Sequence, residues 1–199
     1  MPKNNYVKFA ATLFIICLVA SGLLSSVYSV TKDKIAAQKE NEEKMGLMDV
    51  LPSAQDFEFV ERPDNSFYIG KNSRADVVGY AFVVEKKGYS SDIVTMVGID
   101  LNGAIQGIKI LSQNETPGLG SKIVEVEENK TIWTAFSKKE ESQEAPKPWF
   151  QEQFRGKSIN DLDSVETITG ATISSTAVID SIKEKVEIIV NEVQAYGEK

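Results

Sequence analysis

The most extended feature of the hydrophobic pattern is a run without a charge, Phe9 to Val30 (FAATLFIICLVASGLLSSVYSV). As a helix its 22 residues reach about 33 Å, enough to cross the ~30 Å hydrocarbon layer of a membrane. A cleavable signal peptide has a shorter apolar core, about 7–15 residues, and an Ala-x-Ala-like cleavage site, so the run reads as a retained single-pass anchor. Lys3 and Lys8 precede it and Lys32, Lys34, Lys39 and Lys44 follow it, so counting positive charges alone leaves the orientation open. Thr31 to Glu43 is charged and free of Gly and Pro, which predicts that the helix continues as a stalk. Met45 to Leu51 adds a short apolar helical turn that Pro52 ends.

Beyond Pro52 the pattern changes to short β-branched and aromatic runs. Phe57–Val60 and Phe67–Ile69 read as strands about a Pro63-Asp64-Asn65 turn, and Val77–Val84, Ile93–Leu101 and Ile105–Leu111 read as three more. Asn102-Gly103 is a strong hairpin signal between the last two, and Gly88-Tyr89-Ser90-Ser91 turns the chain before them. The centre is thus an antiparallel meander, in which Gly79, Gly98 and Gly107 predict close backbone approaches or bulges. Near the end of the chain Val178, Ile182, Val186, Ile189 and Val193 recur every three or four positions, with Ile179, Val190 and Ala195 widening the stripe. This predicts an amphipathic helix from Ser175 to about Tyr196, N-capped by Ser174 or Ser175. The fold class is α+β: one N-terminal transmembrane helix, then a single domain with an antiparallel β-sheet and packed helices, the C-terminal helix being the main packing partner. Residues 1–30 form the N-terminal tip and anchor, 31–52 the helical stalk and 53–199 the domain.

Composition narrows the chemistry. A net charge of −7 over 199 residues offers no basic face for nucleic acid. The chain has no histidine and one cysteine, Cys17, which lies inside the apolar run. That excludes Ser/His/Asp and Cys/His catalysis, His-ligated zinc or haem, internal disulfides and a four-cysteine iron–sulfur site. Redox chemistry here would need a cofactor held without Cys or His ligands, and an organic one such as a flavin remains open.

Two stretches carry candidate chemistry. Thr169-Gly170-Ala171-Thr172 is a small, hydroxyl-rich turn just ahead of the C-terminal helix, where free backbone N–H groups and the positive end of the helix dipole favour an anion. Read alone, it is better taken as a helix cap after a turn. Glu115-Thr116-Pro117-Gly118-Leu119-Gly120, followed by Lys122, is a rigid and then permissive turn. It lacks P-loop spacing and, in isolation, reads as an ordinary loop after a strand. Trp133, Phe136, Trp149, Phe150 and Phe154 then bring aromatics into a charged region, most of them reading as core plugs.

Taken together, the N-terminal span, the hairpin ending in Glu115–Gly120, the Trp133…Trp149-Phe150 segment and Thr169-Gly-Ala-Thr172 before the last helix resemble the flavin-bearing G subunit of the Rnf membrane complex. Its relative, the C subunit of the sodium-pumping NADH:quinone reductase, tends to be longer. The resemblance covers nearly the whole chain and makes 53–199 an FMN-binding domain. It implies FMN joined covalently through its phosphate to the hydroxyl of Thr172, the last position of the family's Ser/Thr-Gly-Ala-Thr signature, whose first position is Thr169. A separate flavin transferase makes that bond from FAD. Thr169 and Ser174 or Ser175 are then expected to hold the phosphate, and the Glu115–Gly120 turn with Lys122 to line the isoalloxazine ring. The resemblance further implies an electron-relay subunit, not autonomous as an enzyme, of an ion-translocating ferredoxin:NAD oxidoreductase. Its partners would be the integral membrane and redox subunits of that complex. It would be single-pass in the bacterial cytoplasmic membrane, with the domain on the extracytoplasmic face. The competing reading is a membrane-anchored, non-redox domain that binds an anionic ligand or a partner protein at the same helix start.

Overall fold

The apolar run is helical throughout, and the helix does not stop at its end: α1 spans Asn4–Val50 in the computed structural model, which describes residues 4–62, 65–126 and 147–197. Within α1, the hydroxyls of Thr12, Ser26, Ser29 and Thr31 each donate to the carbonyl four residues back, at 2.8–2.9 Å. Back-bonding of this kind satisfies each hydroxyl within the helix itself. The expected stalk and the short turn from Met45 belong to this one helix as far as Val50, with Leu51 and Pro52 beyond its end. The chain divides into two compact units, Met1–Glu43 and Lys44–Lys199.

In the second unit the meander is present in full. β1 (Asp56–Val60), β2 (Phe67–Lys71), β3 (Val77–Lys87), β4 (Asp92–Asp100) and β5 (Ile105–Ser112) form one antiparallel sheet in chain order. At the Asn102-Gly103 turn Gly103 has φ +81°, and Asp100 Oδ1 accepts from the N–H groups of Asn102 and Ala104. Glycine takes that left-handed conformation without steric cost. Strand alternation sends Phe67, Ile69, Phe82, Val84, Val97, Ile99 and Ile108 to one face. There they meet α3 (Thr172–Gly197), whose Val178, Ile182, Val186 and Ile189 are at most 1% exposed. α2 (Trp149–Glu152) adds Phe150 to this core, packed edge-on against Phe154 at 5.4 Å. These two aromatics are core plugs as expected; Trp149 is partly exposed. Trp133 and Phe136, like Pro63 and Asp64 of the predicted turn, lie outside the described residues.

The opposite face shows what the strand glycines are for. Gly70 pairs with Gly79, and Gly98 pairs with Gly107. The last turn of α1 lies on this smooth strip. A Cβ on Gly98 would come 2.3 Å from the carbonyl oxygen of Val50, and one on Gly70 would come 2.3 Å from Leu51 Cδ2. Leu47, Val50 and Leu51 are buried there with Ala54, Ala81 and Met96. Register shifts at Gly70/Lys71, opposite the predicted Gly79, and at Gly98/Ile99 add bulges.

Candidate functional site

Two tight turns of one kind build the site. Thr116-Pro117-Gly118-Leu119 is closed by Leu119 N–H to Thr116 O at 3.1 Å, with Gly118 at φ +74°. Ile168-Thr169-Gly170-Ala171 is closed by Ala171 N–H to Ile168 O at 2.8 Å, with Gly170 at φ +82°. Both have the type II pattern, in which the third residue takes positive φ and is therefore glycine. The second turn delivers the chain into α3, which starts at Thr172, three residues before the start that periodicity predicts. Ser174 and Ser175 consequently sit inside the first turn instead of capping it. Their side chains are buried: Ser175 Oγ accepts from Ile168 N–H at 3.2 Å, and Ser174 Oγ donates to Glu115 Oε2 at 2.7 Å. Serine spacing alone does not separate an N-cap from a first-turn position, because both place a hydroxyl near free N–H groups.

Between the two turns lies a cleft of about 330 Å³ lined by Tyr89, Thr116, Leu119, Gly120 and the Gly170–Ser174 segment. Its volume falls at the small end of the range for small-molecule sites. Thr172 is exposed in it, while Ala171 behind it is buried. The first three N–H groups of α3, at Thr172, Ile173 and Ser174, have no acceptor among the described residues, and the first turn carries no acid. Tyr89, Ile173 and Leu119 are 68%, 57% and 49% exposed and give the cleft an apolar rim. Of these, Tyr89 and Ile173 escape sequence reasoning: the first belongs to a stretch readable only as a turn, the second to a helix position facing away from the core.

Glu115 behaves differently from the expectation that it lines a ligand. It is 5% exposed, and its carboxylate points at the protein. Oε1 accepts from Ser90 N–H and Ser91 N–H, both at 3.0 Å, and from Ser91 Oγ at 3.3 Å; Oε2 accepts from Tyr89 N–H at 3.2 Å and from Ser174 Oγ. Burial pushes its pKa up, but the hydrogen bonds from Ser174 and from the Ser91, Ser90 and Tyr89 amides together outweigh this and hold it below the ordinary glutamate value. Lys122 and Thr169 line a neighbouring cleft of about 400 Å³ with Glu125, Trp149, Glu166 and Thr167. The structure therefore gathers Thr116, Leu119, Gly120, Gly170, Ala171, Thr172 and Ser174 around one cleft and places Lys122 at the next. Pro117 and Gly118 form the turn behind the first.

The donor set at Thr172 suits a phosphate group. It combines an exposed hydroxyl, three uncommitted N–H groups, the positive end of a 26-residue helix and no competing acid in its first turn. The apolar rim suits a flat aromatic ring.

Comparison with known proteins gives the class. A model of the FMN-binding domain matches residues 88–187, which hold both turns, the cleft and most of α3. A second model, the RnfG N-terminal region, matches residues 1–50 and so covers α1. The chain belongs to the RnfG family of FMN-binding-domain proteins. It is 31% identical to the G subunit of the Na(+)-translocating ferredoxin:NAD(+) oxidoreductase complex of Acetobacterium woodii, over 92% of this chain and 91% of that one. It is 28% identical to the G subunit of the proton-translocating ferredoxin:NAD(+) oxidoreductase complex of Clostridium ljungdahlii, over 93% and 92%. The solved structure of Shewanella oneidensis NqrC overlays with a TM-score of 0.49 at 14% identity, covering 72% of this chain and 73% of that one.

Proposed function

We propose that this protein is the electron-carrying G subunit of a membrane-bound, ion-translocating ferredoxin:NAD oxidoreductase, with FMN held by a phosphoester bond to Thr172. The observation that carries the reading is the position of Thr172. It is an exposed hydroxyl at the first residue of α3, in a cleft with an apolar rim, with free N–H groups beside it. Loading by a flavin transferase would exchange the pyrophosphate bond of FAD for one from its flavin-side phosphorus to Thr172 Oγ, with AMP as the leaving group and the hydroxyl proton passing to AMP or solvent. Oxidation and reduction are supplied by the bound flavin. The protein's own contribution is to hold the phosphate charge at the α3 N-terminus, to keep water off the ring with Tyr89, Leu119 and Ile173, and to prevent cofactor loss.

The absence of histidine suits this role, since a relay between redox partners needs no acid–base dyad. α1 is long and apolar enough to cross a membrane. Anchoring there keeps the carrier at high effective concentration beside the other subunits of the complex. Lys3 and Lys8 on the cytoplasmic side would put the domain on the extracytoplasmic face. Full-length protein co-produced with a flavin transferase should give a band fluorescent under ultraviolet light on a denaturing gel, and Thr172→Ala should give a dark one. A dark wild-type band would instead favour a non-redox domain that binds an anion at the same helix start.

A further inference from the structure

Glu115 is the one buried carboxylate among the described residues, the relay itself does not use it, and its surroundings are specific. Its oxygens collect donors from two separate places: the β3–β4 turn (Tyr89, Ser90, Ser91) and the first turn of α3 (Ser174). Glu115 itself stands at the head of a third segment, the Thr116–Gly120 loop. Room for the carboxylate is cleared by two glycines. A Cβ on Gly88 would lie 2.7 Å from Glu115 Oε1, and one on Gly120 would lie 2.5 Å from Oε2 and 2.7 Å from Ser174 Oγ. These three segments are the three walls of the Thr172 cleft, supplying Tyr89, then Thr116, Leu119 and Gly120, then Gly170–Ser174.

The β5 ladder ends at Ser112, and the apolar face of α3 begins at Ala177. We propose that Glu115 is a positioning residue for flavin attachment, fixing the orientation of the Thr172 hydroxyl by holding Ser174, two residues further on, against the other two walls. The inference rests on Thr172 being the acceptor. A carboxylate is suited to the task because it accepts at every lone pair, whereas an amide in its place would turn an NH₂ toward Tyr89 N–H or toward the Ser90 and Ser91 amides. Its ionised state in the fold, held by the same bonds, agrees with this.

The test uses full-length protein in detergent, with a flavin transferase, FAD and magnesium, following attachment by intact mass against acceptor-protein concentration. Ser174→Ala cuts only the link to α3, and Glu115→Gln removes the charge. Misorientation of the hydroxyl lowers kcat for loading by roughly 10–100-fold while KM for the acceptor protein stays put. A merely structural role does the reverse: partial unfolding dilutes competent acceptor, raising KM and leaving kcat alone. A readout free of flavin accompanies it, namely faster amide hydrogen exchange at Ser90 and Ser91 in Glu115→Gln. Wild-type kcat in Ser174→Ala, or a rise in KM alone, overturns the inference while leaving Thr172 as acceptor. A wild-type chain that takes no flavin removes the parent reading instead.

Discussion

Gly98→Ala adds one methyl group to the C-terminal half of β4, at the place where α1 ends against the sheet. That carbon would sit 2.3 Å from Val50 O, 2.8 Å from Val50 C and 3.0 Å from Val50 Cγ2. The nearest atoms are backbone, so no rotamer change relieves the contact, and the end of α1 must lift by about 1 Å to restore normal separation. Lifting it loosens Leu47, Val50 and Leu51, now 5%, 0% and 0% exposed. Overpacking of this kind costs about 1–3 kcal/mol, and a backbone-limited clash belongs at the upper end. For a chain of this size about 3 kcal/mol lowers Tm by roughly 6–12 °C. Gly46→Ala is the control, because its Cβ would meet only Leu111 Cδ2 at 2.9 Å and Met96 Sδ at 3.2 Å. Those are ends of flexible side chains, and the helix regains about 0.5–1 kcal/mol from losing a glycine, so its net effect is near zero. Circular dichroism melts of both variants in mild detergent decide the matter. Equal melting points for Gly98→Ala and Gly46→Ala would refute the backbone-contact reasoning.

Two further substitutions probe the other face of the sheet. Ile182 is fully buried between α3 and the strands; Ile182→Asp puts an unpaired charge there and should cost several kcal/mol, so an unchanged melt would contradict the packing of α3. Thr95 is also fully buried, and its hydroxyl has no partner among the described residues. Thr95→Val keeps the shape and removes the orphan, so it should raise stability by about 1 kcal/mol, and a lower Tm would mean that the hydroxyl is satisfied after all.

How much of this is legible in the sequence follows from the range of each signal. The anchor, the five strands and the α3 stripe are periodic patterns in local sequence, and they appear where those patterns put them. The type II turns at Pro117-Gly118 and Thr169-Gly170 are equally local, since Gly must occupy the left-handed position. The strand glycines announce a close approach but do not say to what, because the approaching element, the Val50–Leu51 turn, is nearly fifty residues from Gly98 in the chain. The same limit applies to Glu115. Its neighbours in sequence suggest a ligand-lining loop, whereas its hydrogen bonds run to residues 24–26 positions back and 59 positions on. Periodicity misplaces the start of α3 by three residues because Ser174 and Ser175 look like caps until their hydroxyls are seen to serve the interior.

Cleft, turns and helix start all converge on the side chain of Thr172. Protein purified from cells that make the whole complex, digested and analysed by mass spectrometry, should show the peptide carrying Thr172 heavier by one FMN less a water, with the modification on that oxygen. The same peptide recovered at its unmodified mass, from material otherwise assembled with its partners, would contradict it.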